Sequence, residues 1–275
     1  MTVLEQIKKN YLKGNDYNLY KGSDELKTEK EFFLERRDFE ALFTGIFTDC
    51  GLKHFISERN IDCFYGLIKY MNTAGKKINV TSITDPGDII CRHFADSVMT
   101  AEFIPYNASV IDVGTGGGFP SLPLAIVRPD LKITAIDSTV KKIRYAEGAA
   151  AAAGVVNITA AAGRAEELSS GEMRESFDAA VSRAVAAMPV LCELCIPFVK
   201  TGGSFIAMKG PSGDSELQSA QAAIGKLGGE FAEKREYILR APDEEIKHAL
   251  FIVRKASSTP VKYPRNFSQI NKKTL

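Results

Sequence analysis

Gly114, Gly116 and Gly118 stand at alternate positions directly after an apolar run, in VIDVGTGGGFPSLPLAI (residues 110–126). Glycine accepts positive φ and adds no bulk, so this pattern lets a ligand approach the backbone N–H groups closely. A helix opening just afterwards points its N-terminus at the same place. The chemistry such a loop serves is the holding of a nucleotide or a nucleotide-like cofactor. A Walker loop would need Gly-Lys-Ser/Thr at its end, and Phe119-Pro120 follow Gly118 instead. A dinucleotide fingerprint would be G-x-G-x-x-G, but the spacing is G-x-G-x-G, and Pro120 removes a donor that a pyrophosphate would use. S-adenosylmethionine carries an amino acid group, a ribose and adenine but no phosphate, so it needs close approach without an anion cradle. Asp112, two residues before the first glycine, suits its cationic amino group. Asp137, ending the next predicted strand, is placed to accept hydrogen bonds from ribose hydroxyls, a role shared with NAD enzymes. A tight strand-to-helix turn without any ligand would show the same glycines. Taken with the two acids and with the closing strand pair described below, the loop favours S-adenosylmethionine.

Two further stretches fall where such a fold binds its ligand. GRAEEL (163–168) follows the third predicted strand, where Ala165 and Glu166 either offer backbone groups and a small surface to adenine or simply open a capped helix. SRAVA (182–186) ends the fourth, at the carboxyl edge of the sheet, and Arg183 there is a site residue or the ion-pair partner of a helix. Absences also inform: there is no Asn/Asp-Pro-Pro-aromatic stretch of an exocyclic-amine enzyme and no Cys after Pro or Thr as in a pyrimidine-C5 enzyme. The acceptor is then an atom with a free lone pair, such as a purine ring nitrogen, which needs no general base. Catalysis would come from holding acceptor and methyl sulfonium in line, and no residue is assigned a proton-transfer role.

Basic residues point to an RNA partner, although the net charge of +1 does not. Residues 256–275 contain no acid, and Lys262, Arg265, Lys272 and Lys273 alternate with Tyr263, Asn266 and Phe267. That mixture suits phosphate contacts and base stacking, or else forms a merely solvated tail. Arg92, His93, Lys141, Lys142, Arg144 and Lys209 are further candidates; His93 alone reads first as a satisfied structural histidine.

Positioning these residues requires an ordered set of elements. Strands are predicted at 108–114, 131–137, 157–163, 177–183 and 203–209, and their nearly continuous apolar character fits a parallel sheet covered on both faces. Helices alternate with them at about Phe119 onward, 140–153, 188–199 and 215–227. GEFAEKREYIL and EIKHALFIVRK then follow one another with no helix between, which implies a terminal antiparallel hairpin. The fold class is therefore α/β, Rossmann-like, with a mostly parallel seven-stranded sheet, preceded by an N-terminal helical extension. In that extension Phe32, Phe33, Phe39, Leu42, Phe43, Ile46 and Phe47 make one apolar stripe, and Ile56, Ile61, Phe64, Leu67, Ile68 and Met71 a second within 54–72. Asp85 before Pro86 caps a third helix over 89–103. The expected domains are a polar arm at 1–30, a helical segment at 31–104 packing on the catalytic domain, and that domain at 105–275, ending in the basic tail 256–275.

Bulk properties narrow the class. A chain 45% hydrophobic and 25% charged reads as globular, and no window reaches the roughly 18 apolar residues of a spanning helix. With no signal peptide evident either, a cytoplasmic protein with no membrane partner is expected, and a monomer by default. Five scattered cysteines fit reduced thiols. Cys192-x-x-Cys195 lies in apolar PVLCELCIPFV with no second ligand pair, so buried helical residues are expected rather than a metal site.

The chain resembles the RsmG (GidB) family of bacterial 16S ribosomal RNA guanine-N7 methyltransferases. The resemblance is carried by INVTSITDPGDIICRHFADSV (78–98), VIDVGTGGGFPSLPLAI, AIDSTVKKIRY (135–145), GRAEE, FDAAVSRAVA (177–186), MKG (208–210) and YPRNFSQINKKTL (263–275), in order from about Phe32 onward. It implies a class I S-adenosylmethionine-dependent methyltransferase that modifies guanine 527, in the 530 loop, of 16S rRNA in the small ribosomal subunit. Carried over by motif, donor contacts would be Gly114, Phe119, Ala165, Glu166 and Arg183, with Asp137 added for the ribose, and RNA contacts His93, Lys209 and Arg265. Ser121 departs from the glycine usual after Phe-Pro, a small-for-small change that should spare donor binding. Residues 1–30 precede the usual family start. Other acceptors on the same fold, whether another RNA, a small molecule or a protein, and a non-catalytic nucleotide-binding module are the alternatives.

Overall fold

A computed structural model of the chain describes residues 34–275 apart from Lys76, Lys77 and Asn79. The polar arm and the stripe residues Phe32 and Phe33 lie outside the described residues.

Seven strands form one sheet: β1 (Ser109–Val113), β2 (Lys132–Asp137), β3 (Ile158–Ala162), β4 (Phe177–Arg183), β5 (Val199–Lys209), β6 (Gly229–Arg240) and β7 (Glu245–Lys255). Their order is β3-β2-β1-β4-β5-β7-β6. The first five are parallel, and β7 enters between β5 and β6 antiparallel to both. The predicted terminal hairpin is thus present, and its second strand fills the slot beside β5. Reversal of β7 brings its early residues to the edge where the parallel strands end, with Ala249 opposite Lys209.

Helices cover both faces. On one side lie α1 (Arg36–Asp49), α2 (Glu58–Thr73) and a continuous helix over 86–98, here α3, whose middle turn Ile89–Ala95 is π-wound. Asp85 caps α3 through its side chain, accepting from Asp88 N at 3.0 Å, which is the predicted start; the predicted end at Phe103 is replaced by a break after Val98 and a short 3-10 turn, Ala101–Phe103. The Phe39, Phe43, Phe47, Phe64 and Phe94 side chains share one core with β1, β4 and β5 residues, so α1 to α3 are fastened to the sheet by apolar packing. Helices α4 (Ser121–Val127) and α5 (Val140–Ala153) complete this face. Gly154, left-handed at φ 66°, stops α5 where the sequence places its end.

The other face carries α7 (Met188–Cys195), α8 (Gly213–Lys226) and the short terminal α9 (Phe267–Lys272), around Phe198, Phe205, Phe251, Tyr263 and Ile270. A single turn, α6 (Ala165–Leu168), follows β3. Cys192 and Cys195 are fully buried in α7, and burial pushes the Cys192 thiol up to about 12 and Cys195 well above its usual range, as expected of inert core thiols. Among the described residues no helix is long and apolar enough to cross a membrane.

The basic segment 256–275 is not a solvated tail. Tyr263 and Ile270 are buried, and Arg174 donates to the carbonyls of Thr259 at 2.6 Å and Tyr263 at 2.8 Å. Buried Lys255 ties the turn through Thr259 Oγ1 at 2.6 Å and Glu175 at 3.0 Å.

Candidate functional site

The glycine loop leaves β1 at the carboxyl edge. Gly114 and Thr115 both donate N–H to Ile136 O at 2.9 Å, so the loop is tied to the last turn of β2. Gly114, Gly116 and Gly118 have φ of 77°, 57° and 90°, a left-handed region that other residues occupy only at a cost. At Gly114 an added Cβ would lie 2.4 Å from Val185, whose preceding residue Ala184 is itself left-handed and turns β4 back toward the loop. At Gly116 a Cβ would meet nothing nearer than Gly114 O at 4.0 Å, so the missing side chain leaves open space beside the loop. Ser121 is buried against the loop, its hydroxyl 2.7 Å from that of Thr115.

Beside the loop is a cavity of about 380 Å³ lined by Gly114, Asp137, Ala165, Glu166, Val185 and Phe267, among others. Asp137 is anchored at its floor, accepting from Gly116 N at 3.2 Å and Thr139 N at 2.8 Å. Its two basic residues each face an acid: Lys142 is 3.6 Å from Asp137, and Arg164 donates to Glu166 at 2.6 Å. Neither cation is left over for a phosphate, while backbone, acids and the apolar surfaces of Val185, Leu194 and Phe267 suit an uncharged sugar and base. The Arg164 guanidinium lies 4.8 Å over the Phe267 ring, fixing one wall.

Phe119 and Arg183 do not line this cavity but meet next to it. Arg183 donates to Asp96 at 3.1 Å, to Arg92 O, on the π-wound turn, at 2.8 Å, and to His93 Nδ1 at 3.0 Å. A guanidinium only donates, so His93 Nδ1 is bare and Nε2 carries the hydrogen toward Thr81 Oγ1 at 2.8 Å. Burial first, and then the Arg183 charge, lowers the His93 pKa to about 3, so the ring is neutral. It stacks on Phe119 at 4.8 Å, with Arg183 5.2 Å over the same ring. Gly114, Asp137, Ala165 and Glu166 are thus brought together around one cavity, with Phe119, Arg183 and His93 in a neighbouring cluster.

Lys209 and Arg265 join neither group, and their charges are already paired. Lys209 is buried, 2.7 Å from Glu216, and donates to Ala186 O at 2.6 Å. Arg265 grips Glu193 of α7 from its backbone N and Nε, both 2.9 Å, and from Nη2, 2.6 Å. Asp112, read as facing a cationic amino group, is completely buried under the loop, where it accepts from Ser121 N at 3.2 Å, and does not line the cavity. Burial raises its pKa to about 6 despite the hydroxyls of Thr115 and Ser121.

Sequence reasoning missed Asp96 and Phe267 in these roles. Asp96 holds Arg183 on one oxygen and, on the other, Tyr237 at 2.8 Å and His248 at 2.9 Å. Burial alone would push its carboxyl up; His248 and Arg183 outweigh burial and hold it below the usual range. An acid in the middle of apolar HFADSV was a signal, since such a carboxylate requires partners. Among the described residues no group of His, Cys, Asp and Glu is arranged to hold a metal ion.

Comparison with known proteins agrees with this arrangement. The model of the GidB family, rRNA small subunit methyltransferase G, matches residues 60–236. The chain is 42% identical over 230 residues to the ribosomal RNA small subunit methyltransferase G of Clostridium beijerinckii, covering 82% of this chain and 95% of that one. The protein of the same name from Clostridium kluyveri is 38% identical, with 86% and 99% covered, and that of Halalkalibacterium halodurans 40%, with 80% and 93% covered. A family model that spans most of the sheet, with relatives alike over nearly their whole length, places this chain in the family of ribosomal RNA small subunit methyltransferase G.

Proposed function

We propose that the protein transfers a methyl group from S-adenosylmethionine to N7 of guanine 527 in the 530 loop of 16S rRNA. The observation that carries the donor assignment is the 380 Å³ cavity, which combines open space at a left-handed glycine loop with an anchored Asp137 and no unpaired cation. Gly114 would border the amino acid part, Asp137 would accept from the ribose hydroxyls, and Ala165 and Glu166 would flank the adenine, with Phe267 and Leu194 as apolar walls. Asp137 holds Gly116 in the ground state, so its carboxylate is oriented before any ligand arrives.

S-adenosylmethionine, when bound, supplies an electrophilic methyl on a sulfonium. The protein holds the acceptor on the axis of that carbon–sulfur bond and excludes water. The purine N7 lone pair forms the new bond, the sulfur keeps the electron pair of the broken one, and the positive charge passes to the purine without loss of a proton. Family membership supports ribosomal RNA as substrate, and the neutrality of His93 with the internal pairing of Lys209 and Arg265 supports a positioning role for these three residues. Exposed Lys262, Lys272 and Lys273 would provide phosphate contacts.

Nucleoside mass spectrometry after incubating unmodified small subunits with labelled donor tests the proposal. Labelled 7-methylguanosine at one site is expected; a label on another atom, or none from protein shown to bind donor, refutes it.

A further inference from the structure

The carboxyl edge of the sheet holds a second cavity, of about 600 Å³, on the far side of Arg183 from the first. It is lined by Gly210, Pro211, Tyr237, Lys247, His248 and Phe251, among others, where β5 ends and reversed β7 begins. The stretch Ala184 to Ala186 separates the two: Ala184 and Val185 line the first cavity, and Ala186 O accepts from Lys209 immediately before Gly210. Its lining joins apolar surfaces to the charged side chains of Asp214, Lys234, Glu236 and Lys247, of which Lys247 is an exposed cation at the rim.

The polar groups inside are mostly committed. The Tyr237 hydroxyl donates to Asp96, and Lys234 is held by Asp214 at 2.7 Å and Glu236 at 2.6 Å. His248 is different. Its Nδ1 faces Asp96 at 2.9 Å and so carries the hydrogen, which leaves Nε2 as the ring's acceptor. Nε2 lies beside Gly210, where an added Cβ would come within 3.8 Å of it, and the side chain is 28% exposed. Asp96 therefore links Arg183, beside the donor cavity, to His248, in the second cavity, through a single buried carboxylate.

We infer that this second cavity receives the acceptor guanine, with His248 Nε2 accepting the hydrogen of guanine N1. The inference rests on the reading proposed above. The cavity's volume has room for a purine base beside Tyr237 and Pro211, and exposed Lys247 at the rim would meet its phosphate. As N7 takes the methyl, positive charge enters the purine and N1–H becomes a stronger donor. The hydrogen bond to His248 then strengthens in the transition state more than in the ground state, which is the kind of contact that raises kcat. No proton need leave the base, so atoms and charge balance as in the transfer itself. Asp96 is the positioning residue, fixing the tautomer and plane of the imidazole.

The test uses the full chain on small subunits reconstituted with RNA carrying either guanine or 2-aminopurine at the target position; the analogue keeps N7 but has no N1–H. His248→Leu should lower kcat on guanine roughly tenfold, the loss expected for one hydrogen bond that tightens in the transition state. Donor affinity should stay near wild type, while unfolding temperature should fall, because buried Asp96 loses one of its partners and keeps Arg183 and Tyr237. His248→Gln, which restores an acceptor oxygen, should recover part of kcat. The rate ratio between guanine and 2-aminopurine should collapse in His248→Leu relative to wild type, a readout that altered packing would not produce. An equal ratio in both enzymes, with wild type methylating guanine normally, overturns the inference alone. Failure of wild type to methylate guanine N7 in this RNA overturns the proposed function and this inference with it.

Discussion

Replacing Arg265 with Met tests whether this arginine is a fastening or a free charge. The substitution keeps an apolar stem and removes three nitrogens, of which Nε and Nη2 donate to Glu193. Glu193 would keep only the backbone N–H of residue 265, at 2.9 Å, for a carboxylate whose side chain is 1% exposed. Removing one partner of a buried pair costs about 3–5 kcal/mol, because the remaining charge stays desolvated. At about 2–4 °C per kcal/mol for a domain of this size, differential scanning calorimetry should show Tm falling by roughly 6–20 °C. Phe267 follows two residues later and walls the candidate donor cavity, so isothermal calorimetry should also record weaker S-adenosylmethionine binding. Adding Glu193→Leu removes the stranded charge, and the double variant should recover most of the lost stability. Any deficit in RNA affinity that persists in that refastened protein measures a direct contact by the guanidinium. A single variant within about 1 kcal/mol of wild type, or a double variant no better than the single, refutes the reasoning.

Further outcomes follow from other contacts. Gly114→Val should abolish donor binding and cost about 1–3 kcal/mol of stability, since a side chain there meets Val185 from a left-handed backbone; unchanged calorimetric affinity contradicts this. Phe267→Ala removes a cavity wall on an exposed face, so donor Kd should rise roughly tenfold with little change in Tm; equal Kd values would detach α9 from the site. Asp112, with a folded pKa raised to about 6, binds its proton more tightly than the unfolded chain, which titrates near 3.9. Its contribution to stability is therefore full below about pH 4 and is lost as pH rises through 6, by about 3 kcal/mol. Denaturation of Asp112→Asn across that window should lack this component, and curves that stay parallel to wild type would show that the carboxyl is not protonated there.

Much of this architecture was legible in the residues because local chemistry set it. The continuous apolar strands, the left-handed glycine after α5 and the Asp85 cap depend on neighbours within a few positions. So does the glycine loop, since the conformation that makes it a ligand site is a property of the glycines themselves. Long-range pairings were less accessible. Glu193 is the one charge in an apolar helix, and a buried carboxylate needs a partner, yet nothing local says that the partner is Arg265, 72 positions on. For the same reason 256–275 read as a basic tail, either contacting RNA or merely solvated: its basic residues advertise charge, while its anchors, Tyr263 and Ile270, are single apolar residues without periodicity. Arg183 was open between a ligand contact and an ion pair, and the structure pairs it with Asp96 beside the candidate donor cavity.

That α9 completes the candidate donor cavity also bears on the order in which the fold is assembled. Everything that forms the sheet precedes residue 256, so the seven strands can pair before Arg265 and Phe267 have taken their places. The cavity stays without one wall until Phe267 has packed and Arg265 has reached Glu193. If this cavity holds the donor, donor capture waits until the segment after β7 has docked.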